Sequence, residues 1–162
     1  MTKLFSLCNL CGFDITRPVC DMAAFFDYEL AAKVHTIEPV ANVEQAELTV
    51  SYTTENQEIS ALLRIENKSF ASVQRCQVER GETPTGGELT RCIKLAVVAV
   101  LEQSTSSRPA MPWGVLTGVR PGKLAHKLLD AGHSANALPK YLAEAYRLPR
   151  PQGQLLTDTA VQ

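Results

Sequence analysis

The sequence predicts an α+β fold: a small, mostly antiparallel sheet with helices on one face, in the order β-α-β-β-β-α, followed by a helical C-terminal segment. Three observations predict it. Runs rich in Val, Ile, Thr, Tyr and Phe cover residues 47–53, 58–65 and 70–78, separated by Thr54-Glu55-Asn56 and Asn67-Lys68, which are turn formers. Segments with apolar residues at helical spacing flank these runs. Beyond residue 112 only helical patterns remain.

Taken in order, residues 3–8 (Lys-Leu-Phe-Ser-Leu-Cys) read as a first strand. Thr16 is placed to cap a helix that Arg17-Pro18 opens, and Val19, Met22, Ala23, Phe26 and Leu30 form one apolar stripe along it. A loop broken by Pro39 leads to the three strand-like runs, whose short connections favour antiparallel hairpins. The turn-rich stretch 81–87 introduces the strongest helix, over about 87–103, with Leu89, Ile93, Ala96, Val97 and Val100 as its buried face. Ser104 to Pro109 reads as a linker. Three helices follow. The first starts at Pro121 and ends at Gly132; the second runs from about 136 to 147, with Pro139 tolerated in its first turn; the third starts at Pro151 and is cut off with its apolar pattern unfinished. The predicted division is an α+β domain over 1–104, a linker over 105–112 and a helical segment over 113–162.

A chain of 162 residues buries roughly two-thirds of its unfolded surface, enough for one core or one core plus a small appendage. It is 45% hydrophobic and 20% charged, with a formal net charge of −1. The charge is unevenly spread. Residues 1–107 carry 9 Lys and Arg against 14 Asp and Glu, whereas residues 108–150 carry 7 against 2. One reading of the second stretch is ordinary solvated faces; the other is a basic segment that meets an anionic partner or an acidic neighbouring domain. No run of 18 apolar residues provides a membrane span, and the N-terminus makes a poor signal peptide, so the cytoplasm is expected.

Five cysteines (Cys8, Cys11, Cys20, Cys76 and Cys92) are an odd number, and without a secretory signal a disulfide framework is not expected. Cys8-x2-Cys11, with Cys20 beyond it, has a metal-like or redox-like spacing. It lacks the second Cys pair or His pair that completes a zinc site, so buried structural thiols and no metal site are expected. The histidines (His35, His126 and His133) have no carboxylate or cysteine at a spacing that suggests a triad or a metal pair.

The most distinctive stretch is Pro112-Trp113-Gly114-Val115-Leu116-Thr117-Gly118-Val119-Arg120-Pro121-Gly122-Lys123. It holds the only tryptophan, and its proline suits the first position of a helix. Arg120 and Lys123 then lie beside backbone N–H groups at the positive end of the helix dipole, where phosphates and carboxylates are held. Trp113, Gly114, Thr117, Gly118, Arg120 and Lys123 are therefore the candidate site. One reading is an interdomain contact, with Trp113 buried and the glycines making a tight turn. The other is an anion pocket in which the Thr117 hydroxyl, the Gly118 amide, Arg120 and Lys123 converge.

Trp-Gly-x-Leu-Thr-Gly-x-Arg-Pro-x-Lys-Leu, continuing as His126-Lys127-Leu128-Leu129, resembles the N-terminal region of the coproporphyrinogen dehydrogenase group of radical-SAM proteins, which is like oxygen-independent coproporphyrinogen III oxidase. The resemblance is specific over residues 112–131 and looser elsewhere. It implies an accessory or substrate-entrance domain that is inactive by itself. In that family a barrel with a Cys-x3-Cys-x2-Cys motif follows, holding a 4Fe-4S cluster and S-adenosylmethionine, and oxidises two propionates of a porphyrinogen to vinyl groups in heme biosynthesis. This chain carries no such motif, so no cofactor is expected within it. Its implied partners are that barrel and a tetracarboxylate porphyrinogen.

Thr83-Pro84-Thr85-Gly86-Gly87 is compared with the glycine-rich strand that holds S-adenosylmethionine in such barrels, but its polar context reads as the N-terminal turn of a helix. No Gly-Lys-Ser/Thr follows to make it a phosphate loop. The alternative function is a basic helix-turn-helix-like nucleic-acid-binding or general interaction domain, from the two helices about Gly132 with Lys140 and Arg147 as phosphate contacts.

Overall fold

The computed structural model describes residues 3–31, 45–79, 81–106, 108–117 and 120–162. The chain divides into two compact units, Met1–Pro109 and Ala110–Gln162, so the division falls inside the 105–112 stretch. Gly118 and His35 lie outside the described residues.

The first unit is built on β1 (Lys3–Leu10), α1 (Thr16–Ala23), β2 (Tyr28–Leu30), β3 (Gln45–Thr53), β4 (Glu58–Ile65), β5 (Lys68–Arg75) and α2 (Gly86–Ser104). This is the α+β arrangement that the sequence predicts, with one strand more. The sheet order is β2-β1-β3-β4-β5. β3, β4 and β5 form the two expected antiparallel hairpins, whereas β1 pairs in parallel with both β2 and β3, so the sheet is mixed. A crossover connection is what parallel neighbours require, and α1 supplies it between β1 and β2.

The additional strand corrects one expectation. Leu30 continues the apolar stripe of α1 in sequence, but it lies in β2. The helix tightens into a 3-10 turn over Ala24–Phe26, and Asp27 then takes a left-handed conformation (φ 61°) that ends it. The Lys3 N–H donates to the Asp27 carbonyl, so the chain re-emerges as a strand beside β1. The helix start also differs. Ile15, not Thr16, is the N-cap, and the Asp14 carboxylate accepts from the Thr16 N–H at 2.9 Å.

Alternation sorts the sheet into two faces. Phe5, Leu48, Val50, Ile59, Ala61, Leu63 and Ile65 are buried on one face, against Val19 and Met22 of α1 and Ile93, Ala96, Val97 and Val100 of α2. Ser6, Cys8, Glu47, Arg64, Ala71 and Val73 are exposed on the other. Thr85 caps α2, its hydroxyl accepting from the Glu88 N–H at 3.2 Å. The glycine-rich turn before it is thus a helix start, as its polar context predicts. Lys94 of α2 is buried beside Asp21 of α1 at 3.7 Å.

In the second unit, α3 (Pro121–Asp130), α4 (Leu138–Tyr146) and α5 (Arg150–Val161) each carry proline in the first turn. α3 ends in a Schellman turn: the His133 N–H donates to Leu128 O and the Gly132 N–H to Leu129 O, with Gly132 at φ 97°. Leu116, Ala125, Leu138, Leu142, Leu148 and Leu156 form the core. α5 packs against both α3 and α4, which touch each other much less. Gly153 permits its approach to α4, since a Cβ there would meet the Pro139 carbonyl at 3.3 Å. No helix among the described residues is long and apolar enough to cross a membrane.

Candidate functional site

The tryptophan block is a turn clamped onto the end of a helix. The Gly114 N–H donates to Met111 O and the Leu116 N–H to Trp113 O, folding the chain tightly, while the Val115 N–H donates to Tyr146 O at the end of α4. Gly114 has φ 53°, and a Cβ on it would lie 2.6 Å from the Arg147 carbonyl oxygen. Both the conformation and the contact demand glycine. Val115 and Leu116 are consequently driven inward and are each 3% exposed. Trp113 stays on the outside of the turn and is 40% exposed.

Arg120 is the N-cap of α3, in extended conformation, with no side chain capping the helix and no acidic residue in its first turn. Arg120 and Lys123 are both exposed, and Thr117 is half-buried. Two cations at the positive end of a helix repel its dipole as well as each other, and an anion placed there relieves both. Whether the Gly118 amide joins them lies outside the described residues. On α4, Lys140 is 3.9 Å from the Glu144 carboxylate, which reduces what it offers a phosphate.

Of the thiols Cys8, Cys11 and Cys20, expected to be buried and structural, only Cys11 is fully buried. Cys8 is exposed on the open face of the sheet, Cys11 is buried with its thiol donating to Val50 O at 3.6 Å, and Cys20 lies on α1. Burial pushes the Cys11 thiol up to about 11. Burial and the neighbouring Asp21 charge raise Cys20 as well.

A different set of residues is brought together at the junction of β5 and α2. Cys76 follows β5 by one residue, and its N–H still donates to Gln57 O at 2.8 Å, so strand alternation carries its side chain to the helix-covered face. Glu88 and Cys92 lie four residues apart on the facing side of α2. Ligand atoms of Cys76, Glu88 and Cys92 all lie within 4.8 Å of one another, the one such group among the described residues. The Cys92 thiol is within reach of three acceptors: Glu88 Oε1 at 3.6 Å, Arg75 O at 3.7 Å and the Cys76 sulfur.

Arg91 grips Glu88 side-on, Nε to Oε2 at 2.8 Å and Nη2 to Oε1 at 2.6 Å, and the Gln77 N–H donates to Oε1. Burial alone raises the Glu88 carboxyl, but the hydrogen bonds from Arg91 and Gln77, with the guanidinium charge, outweigh it and hold the group below its ordinary value. Burial raises both Cys76 and Cys92. Sequence reasoning missed this group because Cys76 and Cys92 have no motif spacing. The one available signal was Thr85-x-x-Glu88, a capping-box pattern whose glutamate here turns to Gln77 and Arg91. No protein-family profile, curated protein or solved structure matches the chain.

Proposed function

We propose that the chain is a non-catalytic accessory region of a radical-SAM protein of the coproporphyrinogen dehydrogenase type. In this reading it works in the cytoplasm and its second unit offers a basic turn to the carboxylates of a porphyrinogen. The observation that carries the reading is the pairing of Arg120 and Lys123 on the uncapped first turn of α3, with no acidic residue there. The turn at Gly114 is held against the end of α4, and Arg120 and Lys123 stand at the N-cap and in the first turn of α3. The sequence similarity of residues 112–131 supplies the substrate class: coproporphyrinogen carries four carboxylates.

The resemblance implies that cluster and S-adenosylmethionine chemistry belongs to a barrel; the 162 residues themselves carry no Cys-x3-Cys-x2-Cys loop. What these residues do is bind and orient an anion by charge and by helix N–H groups. The test is a fluorescence titration of the chain with coproporphyrin, the stable tetracarboxylate. Arg120→Ala and Lys123→Ala should each weaken binding about tenfold, an effect of roughly one charge-assisted hydrogen bond, and added salt should weaken it in the parent chain. Absence of binding, or binding indifferent to both substitutions, refutes the reading.

A further inference from the structure

We propose that Cys76, Glu88 and Cys92 form a binding site for a thiophilic divalent cation of the zinc type, with Arg91 as a positioning residue. The inference is independent of the function proposed above and concerns the other unit of the chain.

Geometry carries it. A tetrahedral zinc ion with sulfur at about 2.3 Å and carboxylate oxygen at about 2.0 Å needs those two ligand atoms about 3.5 Å apart. Cys92 Sγ and Glu88 Oε1 are 3.6 Å apart. The Cys76 sulfur completes a triangle whose sides are all within 4.8 Å. The metal takes the place of the thiol protons that occupy this space, and binding releases those two protons to solvent. Water fills the fourth position from the side of Glu88, whose side chain is 13% exposed while Cys92 is fully enclosed.

Each ligand is already fixed before metal arrives. Cys76 is held by the sheet ladder through Gln57 O, and Cys92 and Glu88 by one face of α2. Arg91 and the Gln77 N–H orient the carboxylate, as second-layer partners of metal ligands do. Charge also closes. Two thiolates and a carboxylate around a divalent ion leave one negative charge, and the Arg91 guanidinium, 3.8 Å from Cys92 Sγ, neutralises it. Hard cations such as magnesium fit poorly, because two of three protein ligands are sulfur.

The test uses the full chain, reduced and freed of metal, with Zn2+ for stoichiometry and Co2+ as the optical probe. One Zn2+ per chain is expected after gel filtration, with thiolate-to-cobalt charge-transfer absorption for Co2+. Cys76→Ser and Cys92→Ser should each abolish that absorption and weaken Zn2+ binding by about 100-fold or more. Arg91→Met should weaken it by about 10- to 100-fold, and Cys8→Ser should leave it unchanged. If the cysteine variants fail to fold, alkylation of the unsubstituted chain decides: bound Zn2+ should protect Cys76 and Cys92 and leave Cys8 reactive. No stoichiometric binding, binding that survives both cysteine substitutions, or protection centred on Cys8, Cys11 and Cys20 overturns the proposal.

Discussion

The turn at Trp113–Lys123 and the corner at Cys76–Cys92 use glycine, charge and burial in opposite ways. In the first, backbone contact is intimate and chemistry faces water: Gly114 is pressed against the end of α4 while Arg120 and Lys123 are exposed. In the second, the side chains are enclosed and answer one another, Arg91 to Glu88 and both to Cys92. The contrast separates conspicuous from consequential. A run of unusual residues marks where the backbone is constrained. Reactive groups gathered from separate elements leave no such mark.

The comparison predicts unequal costs. Gly114→Ala should be the most damaging change, by about 3 kcal/mol or more, because a left-handed conformation and a backbone collision act together. Gly132→Ala shares the positive φ but has open space around it, and should cost about 1 kcal/mol. Chemical denaturation of the two variants checks this, and equal losses would break the picture of a clamped turn.

At the other corner, Arg91→Met should cost about 2 kcal/mol in the metal-free chain, since it strands the half-buried Glu88 carboxylate. A loss no larger than that of an exposed substitution would show that the pair is not what orders the start of α2. A third difference lies in pH. The Cys11 thiol ionises at about 11 in the folded chain against 9.0 ordinarily, so the folded state holds its proton more firmly. Its contribution is complete below pH 9 and lost as pH rises through 11, with a slope on the order of 1 kcal/mol per unit. Cys11→Ala should flatten the alkaline limb of a stability–pH curve relative to the parent. The smallest effect should come from Arg120→Ala, within about 0.5 kcal/mol in thermal denaturation, because the side chain is exposed. A larger loss would mean that Arg120 braces the fold instead of serving a ligand.

Much of the architecture was legible because it is written locally. The hairpins of β3, β4 and β5 follow from alternation and turn residues, α2 from its apolar face and Thr85, and the end of α3 from Gly132. The stripe through Leu30 misled because helical spacing continues past the point where Asp27 breaks the helix, and pairing with β1 offers those residues a full ladder. At the Gly114 turn the interior goes to Val115 and Leu116, while Trp113 is left on the outside.

By itself, then, the amino-acid order determined the secondary structure of most segments, the unequal charge of the two stretches and the position of the basic helix start. These depend on side chains within one or two turns of each other. Tertiary structure alone decided that β1 pairs in parallel on both sides, that Cys8, Cys11 and Cys20 stay apart, and that Cys76 meets Glu88 and Cys92. Those outcomes depend on which strand ends lie beside which helix start, and that is set by burying one face of the sheet.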